Sequence, residues 1–417
     1  MLGNITERSL PKRLAKRTRR IADLIDQGAW SIGVLARQFL VSPNVSQRFG
    51  DLVLRGTPRP EVFSARVRER RKVAIISTYH NFPFFLTYHY RLADTLSAAG
   101  FVVYFVHAGE AWSPLLLEID RNDIFLCMKN NAGFDFGSYA VGFHLLKDML
   151  EHVDELLFAN DSIIGPATDM HDIFSEIRSS GADFAGMTDS YERGYHLQTY
   201  FIWLGRNAVQ SRSLISFFDN PRFAGLAHGS ERRKHMLRER MVRDGELAFT
   251  RLLLEARLQG YALCPYQQVA SRWLAKLPAL VQLIANLPGL EPRTAAEASS
   301  YLPFKLKLLE GLDAIAASVV SGTPLNPTIF FWDVLIEDFR FPFIKRELVT
   351  ANPRSIPSYF RISDVLQSVP RQLTDYVIEV QRYWGGTRVP FIEKPRSDMP
   401  PILAVGEGAC PAAGPCP

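Results

Sequence analysis

The chain has no run of 18–20 consecutive apolar residues, so nothing in it reads as a bilayer-spanning helix. Its basic start is not followed by an apolar stretch of the length a secretory signal needs. Cysteine is scarce, with four in 417 residues, and no Cys-x-x-Cys pair occurs, so a disulfide framework is not expected. Cys127 lies in an apolar strand candidate and is expected to be a small buried hydrophobe, whereas Cys410 and Cys416 sit in a Pro/Gly/Ala tail. No internal repeat, Walker loop or Gly-x-Gly-x-x-Gly fingerprint is found. These absences point to a reducing cytoplasm.

What remains is a globular composition. Hydrophobic residues make up 47% and charged residues 22%, enough to bury a large core. At roughly 100–200 residues per domain, two or three domains are expected. The net charge of +5 is unevenly spread: residues 1–72 hold 16 Lys+Arg against 6 Asp+Glu, which leaves about −5 for the rest. A basic leader over residues 1–70 suits an anionic membrane surface or a nucleic acid, and equally a solvated arm. Within it, residues 29–50 superficially resemble a helix-turn-helix, although the turn near Val41-Ser42 lacks the usual glycine. This leaves a nucleic-acid-binding regulator as an alternative reading. Thr57-Pro58-Arg59-Pro60 reads as a linker.

From residue 71 to 270 the pattern is α/β. Strands are expected at Lys72–Thr78, Phe101–His107, Asp123–Met128, Asp154–Asn160 and Asp183–Thr188, with helices at 84–99, 138–150, 169–179 and 246–258. Strands alternating with helices predict a mostly parallel sheet sandwiched by helices. The strands are continuous apolar runs, which fits burial on both faces. Residues 271–384 are expected to be mainly helical, with Asn326-Pro327-Thr328 as a helix start. The Pro/Gly-rich tail, 385–417, is expected to be disordered.

Four stretches carry candidate chemistry. Asn160-Asp161-Ser162 ends a strand before Gly165-Pro166. Asp161 there can hold Mg²⁺ or Mn²⁺ beside nucleotide phosphates, because hard cations prefer carboxylate and phosphate oxygens; an Asx turn closing the strand explains the same residues. Asp135, Gly137 and Ser138 join a strand to a helix, where glycine lets a ligand approach and a helix start receives phosphate; Asp135 can bind sugar hydroxyls or cap the helix. His196, Gln198 and Tyr200 alternate at strand spacing and are expected to share one face. Glu246, with Asp244 just before it, is expected to open a helix, a place that suits either dipole complementation or a general base kept ionised.

Taken together, these stretches resemble the rhamnan synthesis F family, bacterial glycosyltransferases of cell-surface polysaccharide assembly. The resemblance rests on Asn131 to Tyr139, on Asn160-Asp161-Ser162 with Gly165-Pro166, on His196 to Phe201, and on Glu246 with Leu252 to Glu255 and Gly260-Tyr261. Asn326 to Thr328, Phe331-Trp332, Pro342 to Lys345 and Glu347-Leu348 extend it, so that it covers roughly residues 70–353. It implies a glycosyltransferase A-like fold, a nucleotide-sugar donor (a rhamnose-type deoxysugar) and an inverting displacement onto a glycan or lipid-linked glycan at the inner face of the membrane. In such folds an Asp-x-Asp-like element holds a divalent metal, but Asp161 is flanked by Asn160 and Ser162, so metal-free binding helped by a basic side chain is equally implied. Glu246, or second Asp244, is then the base. Asn160, Asp161, Ser162, Asp135, Gly137 and Ser138 hold the donor, while His196, Gln198 and Tyr200 orient substrate. A non-catalytic carbohydrate-binding scaffold is the other alternative.

Overall fold

The computed structural model describes residues 52–56, 59–109, 113–219, 239–285, 309–350 and 371–384. The chain divides after Asp51 into two units, and the sheet and its helices belong to the second, Leu52–Pro417. The helix-turn-helix-like stretch 29–50, most of the basic leader, the tail from residue 385, Cys410 and Cys416 lie outside the described residues.

A nine-stranded sheet forms the centre, as the apolar runs predict. Its strands are β1 (Val53–Arg55), β2 (Lys72–Thr78), β3 (Val102–Ala108), β4 (Ile124–Lys129), β5 (Glu155–Asn160), β7 (Phe184–Ser190), β8 (His196–Leu197), β9 (Phe201–Gly205) and β10 (Gly260–Cys264). The order is β1-β4-β3-β2-β5-β9-β7-β10, with β8 paired to β7 off the main path. The core strands β4, β3, β2 and β5 are parallel, β9 runs antiparallel to both neighbours, and β10 is parallel to β7. Val73, Ala74, Ile75 and Ile76 of β2 are fully buried, as are Val102, Val103 and Phe105 of β3. Helices lie along the sheet: α1 (Pro60–Arg70), α2 (Thr87–Ala98), α3 (Phe134–Leu146), α4 (His171–Ser179), α5 (Arg212–Phe218), α6 (Ala248–Glu255) and α7 (Tyr266–Ala285).

Residues 53–70, grouped on sequence with the leader, pack on the sheet. β1 pairs with β4, and α1 buries Phe63 and Val67 at i,i+4 beneath its arginines, Phe63 against Tyr104 and Phe125. Each such side chain contributes about 1.5–3 kcal/mol on burial. Pro60 is the first residue of α1 rather than part of a linker.

Among the described residues after 271 lie the rest of α7, α8 (Trp332–Phe339), α9 (Arg346–Thr350) and α10 (Arg371–Trp384), and Asn326 caps its helix by accepting a hydrogen bond from the Thr328 amide. This region also contributes a strand. β11 (Ile344–Lys345) pairs antiparallel with β6 (Ile163–Ile164), directly after Asn160-Asp161-Ser162. A separate core of Leu86, Tyr88, Ile164, Trp332, Ile336, Ile344, Leu348, Val377 and Val380 holds this junction. Gly165 lies at φ +141°, where a β-carbon would stand 2.5 Å from the Pro342 carbonyl oxygen, so the close pass of the β11 segment requires glycine there. From 292 residues away in sequence, Glu379 of α10 accepts hydrogen bonds from the Thr87 amide and hydroxyl at the start of α2.

Candidate active site

The parallel order reverses between β2 and β5. The chain leaves β2 through β3 and β4 to one side and returns as β5 on the other. Loops diverge at such a point and leave a crevice at the carboxyl ends of the strands, the usual ligand position in open α/β sheets. Ser77 of β2 lies opposite Asn160 of β5 at this place, and Asp135, in the first turn of α3, meets both. The Ser77 hydroxyl donates to Oδ1 at 3.0 Å and the Asn160 amide donates to Oδ2 at 3.1 Å. Burial raises the Asp135 pKa to about 6, with the nearby Asp161 and Glu246 acting the same way and Ser77 and Arg346 opposing them. Asn160 also closes an Asx turn, its Oδ1 accepting from the Ser162 amide at 3.0 Å and the Ser162 hydroxyl at 2.5 Å. Asp135 therefore binds protein groups at the crevice floor.

Asp161 is buried, and its Oδ2 takes the Tyr79 amide at 3.0 Å and the Arg346 guanidinium at 2.8 Å. β11 brings that arginine in: the Arg346 amide donates to the Ser162 carbonyl at 2.7 Å, and Lys345 Nζ donates to the Ser162 hydroxyl at 2.9 Å. The Lys345 ammonium also stands 5.2 Å over the Tyr200 ring. The carboxylate expected to carry a metal thus holds a guanidinium, and no cluster of three or more His, Cys, Asp or Glu able to hold an ion occurs among the described residues.

Gly137 and Ser138 lie inside α3 rather than ahead of it. α3 begins at Phe134, four residues before the expected start, with Gly133 in the left-handed region as its cap. Buried apolar residues on every side of α3 hide its start from any periodicity. The Gly137 amide accordingly donates to the Gly133 carbonyl at 2.7 Å, and the fully buried Ser138 hydroxyl donates to the Phe134 carbonyl at 3.3 Å.

The opposite wall comes from the β8–β9 region and the helix carrying Glu246. His196, Gln198 and Tyr200 do not share one strand face, because β8 ends at Leu197 and β9 starts at Phe201. Gln198 and Tyr200 instead meet at the Thr188 hydroxyl, each at 2.7 Å. His196 sets Nδ1 2.9 Å from the Gly194 carbonyl oxygen and Nε2 3.9 Å from the Glu246 carboxylate. Burial lowers the His196 pKa, which favours the neutral ring. With Nδ1 donating to the carbonyl, Nε2 presents a lone pair beside Glu246.

Glu246 does not open a helix. It lies in a π-helical segment, Val242–Leu247, that continues into α6, which ends at Glu255 rather than Leu258. Such wide turns recur at functional sites. Gly245 is required there, because a β-carbon would lie 2.6 Å from the Phe136 ring. Asp244 is paired with Arg240 at 3.1 Å and Arg243 at 2.9 Å. Burial alone would raise the Asp244 pKa, but the two guanidiniums hold it below the usual value. Of the two acids, Glu246 is the one beside His196.

Sequence reasoning missed Ser77, Tyr79, Lys345 and Arg346. Lys345 and Arg346 are adjacent in sequence, but 183 residues separate Lys345 from the Ser162 it contacts. Sequence reasoning also missed three histidines that pack together, His80 just after β2, His107 near the end of β3 and His89 in the first turn of α2. The rings of His80 and His107 lie 4.4 Å apart and those of His80 and His89 5.5 Å apart, all three residues being buried. Burial lowers the pKa of His80 to about 4, that of His107 to about 3 and that of His89 well below its ordinary value.

Between pH 6.5 and those values the unfolded chain takes up protons that the folded chain refuses. Stability is therefore expected to fall as pH drops below 6.5, each such proton costing up to about 1.4 kcal/mol per pH unit. Asp135 opposes this with one proton between pH 4 and 6, because there the folded chain binds it and the unfolded chain does not. Urea midpoints between pH 7.5 and 4.5 check the balance, and a flat profile would contradict it.

Comparison with known proteins meets this geometry at its centre. The family model of rhamnan synthesis protein F matches residues 118–224, the stretch holding Asp135, Asn160, Asp161 and His196. The resemblance is to rhamnan synthesis protein F. The virulence protein VirA of Vibrio anguillarum is 26% identical over 309 residues, covering 73% of this chain and 88% of VirA. The protein y4gN of Sinorhizobium fredii is 28% identical over 112 residues, 25% of this chain and 29% of its own length. No solved structure matches. At the coarse level these similarities support a role in polysaccharide synthesis with glycosyltransferase-like activity. No helix among the described residues is long and apolar enough to cross a membrane.

Proposed function

We propose that the chain is a glycosyltransferase of the glycosyltransferase A-like type. It moves a sugar, a rhamnose-type deoxysugar by the family's description, from a nucleotide-sugar donor to a growing cell-surface polysaccharide or lipid-linked glycan. One observation carries the reading. At the sheet's switch point, a polar floor of Ser77, Asp135 and Asn160 lies within electrostatic reach of Glu246, which stands beside His196. The Glu246 carboxylate, 3.9 Å from His196 Nε2, is an acceptor to which an acceptor hydroxyl can donate its one proton.

In the inverting displacement, Glu246 takes the proton of the acceptor hydroxyl. The acceptor oxygen forms a bond to the anomeric carbon as the bond from that carbon to the phosphate oxygen breaks. The nucleoside diphosphate leaves with the electron pair. Gln198 and Tyr200 fix the wall through Thr188, and Tyr139 ties α3 to it by donating to the Thr199 carbonyl at 2.9 Å. A lipid-linked acceptor would place the reaction at the inner membrane face, where the basic leader would meet anionic lipid.

A nucleotide-sugar panel read by thermal shift tests the reading. One member of the panel is expected to raise the melting temperature in proportion to the logarithm of its concentration. A panel without any stabilising member, with or without Mn²⁺, would overturn it.

A further inference from the structure

We propose that Lys345 and Arg346 bind the diphosphate of the donor in place of a divalent metal, and that Asp161 holds Arg346 in position for this. The inference rests on the nucleotide-sugar reading of the same crevice and goes beyond it by naming the charge that meets the phosphates.

Both cations sit at the end of β11, pressed against the strand end that carries Asn160-Asp161-Ser162. The Lys345 ammonium has three donors, of which the Ser162 hydroxyl takes one. It forms no contact ion pair among the described residues. An enclosed ammonium with a neutral partner is costly unless an anion meets it. Glu246 and Asp135 act on it electrostatically, which puts it in the same crevice as the proposed base and the polar floor. Lys345 as a residue is half-buried, with its ammonium against the Ser162 hydroxyl.

Arg346 has five donors in a planar fork that matches phosphate geometry. Asp161 engages Nη1 and Tyr88 lies against the same group, so the fork is held in one orientation. Two fixed cations therefore stand where a metal held by a second carboxylate would otherwise supply the charge. As the bond from the anomeric carbon to the phosphate oxygen breaks, the leaving diphosphate gains negative charge. Hydrogen bonds from these N–H donors then strengthen without any proton being transferred from them. Charge-assisted bonds to developing anions are among the strongest a site can offer.

The test is calorimetric binding of UDP, GDP and dTDP, and of the matching nucleosides, to the full chain in EDTA and in Mn²⁺. One diphosphate is expected to bind in EDTA, with little change on adding Mn²⁺. Lys345→Met is expected to weaken that diphosphate by roughly tenfold or more while leaving the nucleoside unchanged, and Lys345→Arg to recover most of the loss. A merely structural role for Lys345 would shift nucleoside and diphosphate alike. Binding that requires Mn²⁺, or a Lys345→Met protein of native melting temperature that binds the diphosphate as tightly as the native chain, overturns this inference and leaves the glycosyltransferase reading standing. If no diphosphate binds under either condition, the donor reading fails and this one fails with it.

Discussion

Arg346→Met is expected to destabilise the fold by about 3–5 kcal/mol, the usual result of leaving one member of a buried ion pair alone. Asp161 is 4% exposed and Arg346 17% exposed in their side chains, and their contact is 2.8 Å. Among the described residues, removing the guanidinium leaves the buried carboxylate with the Tyr79 amide as its side-chain hydrogen-bond partner. Asp161→Asn should be costly too, since Arg346 then loses its counter-ion. The double variant Asp161→Asn/Arg346→Met is expected to be less damaged than the sum of the two single changes, because both charges are gone. Lysine is a poor substitute for Arg346: a point charge cannot engage Asp161 and present a fork to another group. Urea unfolding of the four proteins measures the coupling. Additive effects, or an Arg346→Met loss under about 1 kcal/mol, which is the range of an exposed pair, would show that the contact is not a buried pair.

Glu246→Gln should separate chemistry from folding. A positioned general base contributes about 10²–10⁴-fold to rate, so sugar transfer is expected to fall by that factor while donor binding and melting temperature stay near native. The small cost to stability follows from the position: the Glu246 side chain is 34% exposed, and amide and carboxylate have the same shape. Asp244→Asn is the control. It should cost only the local ion pairs to Arg240 and Arg243, and transfer should persist. Steady-state rates of sugar transfer with the donor identified by thermal shift decide between them. Full transfer by Glu246→Gln with loss in Asp244→Asn would exchange the two roles.

The strands were legible because their chemistry is local. Lys72–Thr78 is read to the residue, since six consecutive buried positions leave a continuous apolar run that only a strand covered on both faces explains. Asn326-Pro327-Thr328 is equally local, a side chain satisfying an amide two residues on. Helix starts were less legible. α3 carries no polar face near Gly133 to mark its beginning, so its pattern points to a start at Ser138, four residues late. Glu246 was placed at a helix start for a related reason: the π-helical turn around it breaks the 3.6-residue spacing that sequence patterns rely on.

The α/β character of the sheet, the polar residues at its strand ends and the lack of a bilayer-spanning segment among the described helices are all readable along the chain. Those properties follow from composition and spacing within one element. Only the tertiary structure decided that Arg346 occupies the Asp161 carboxylate, that Lys345 reaches Ser162, and that Glu246 rather than Asp244 stands beside His196. These pairings join residues 183 to 185 positions apart across β6 and β11, or 50 positions apart between β8 and the π-helical segment. They depend on the packing of Ile164, Ile344 and the helices behind them, which no local pattern encodes.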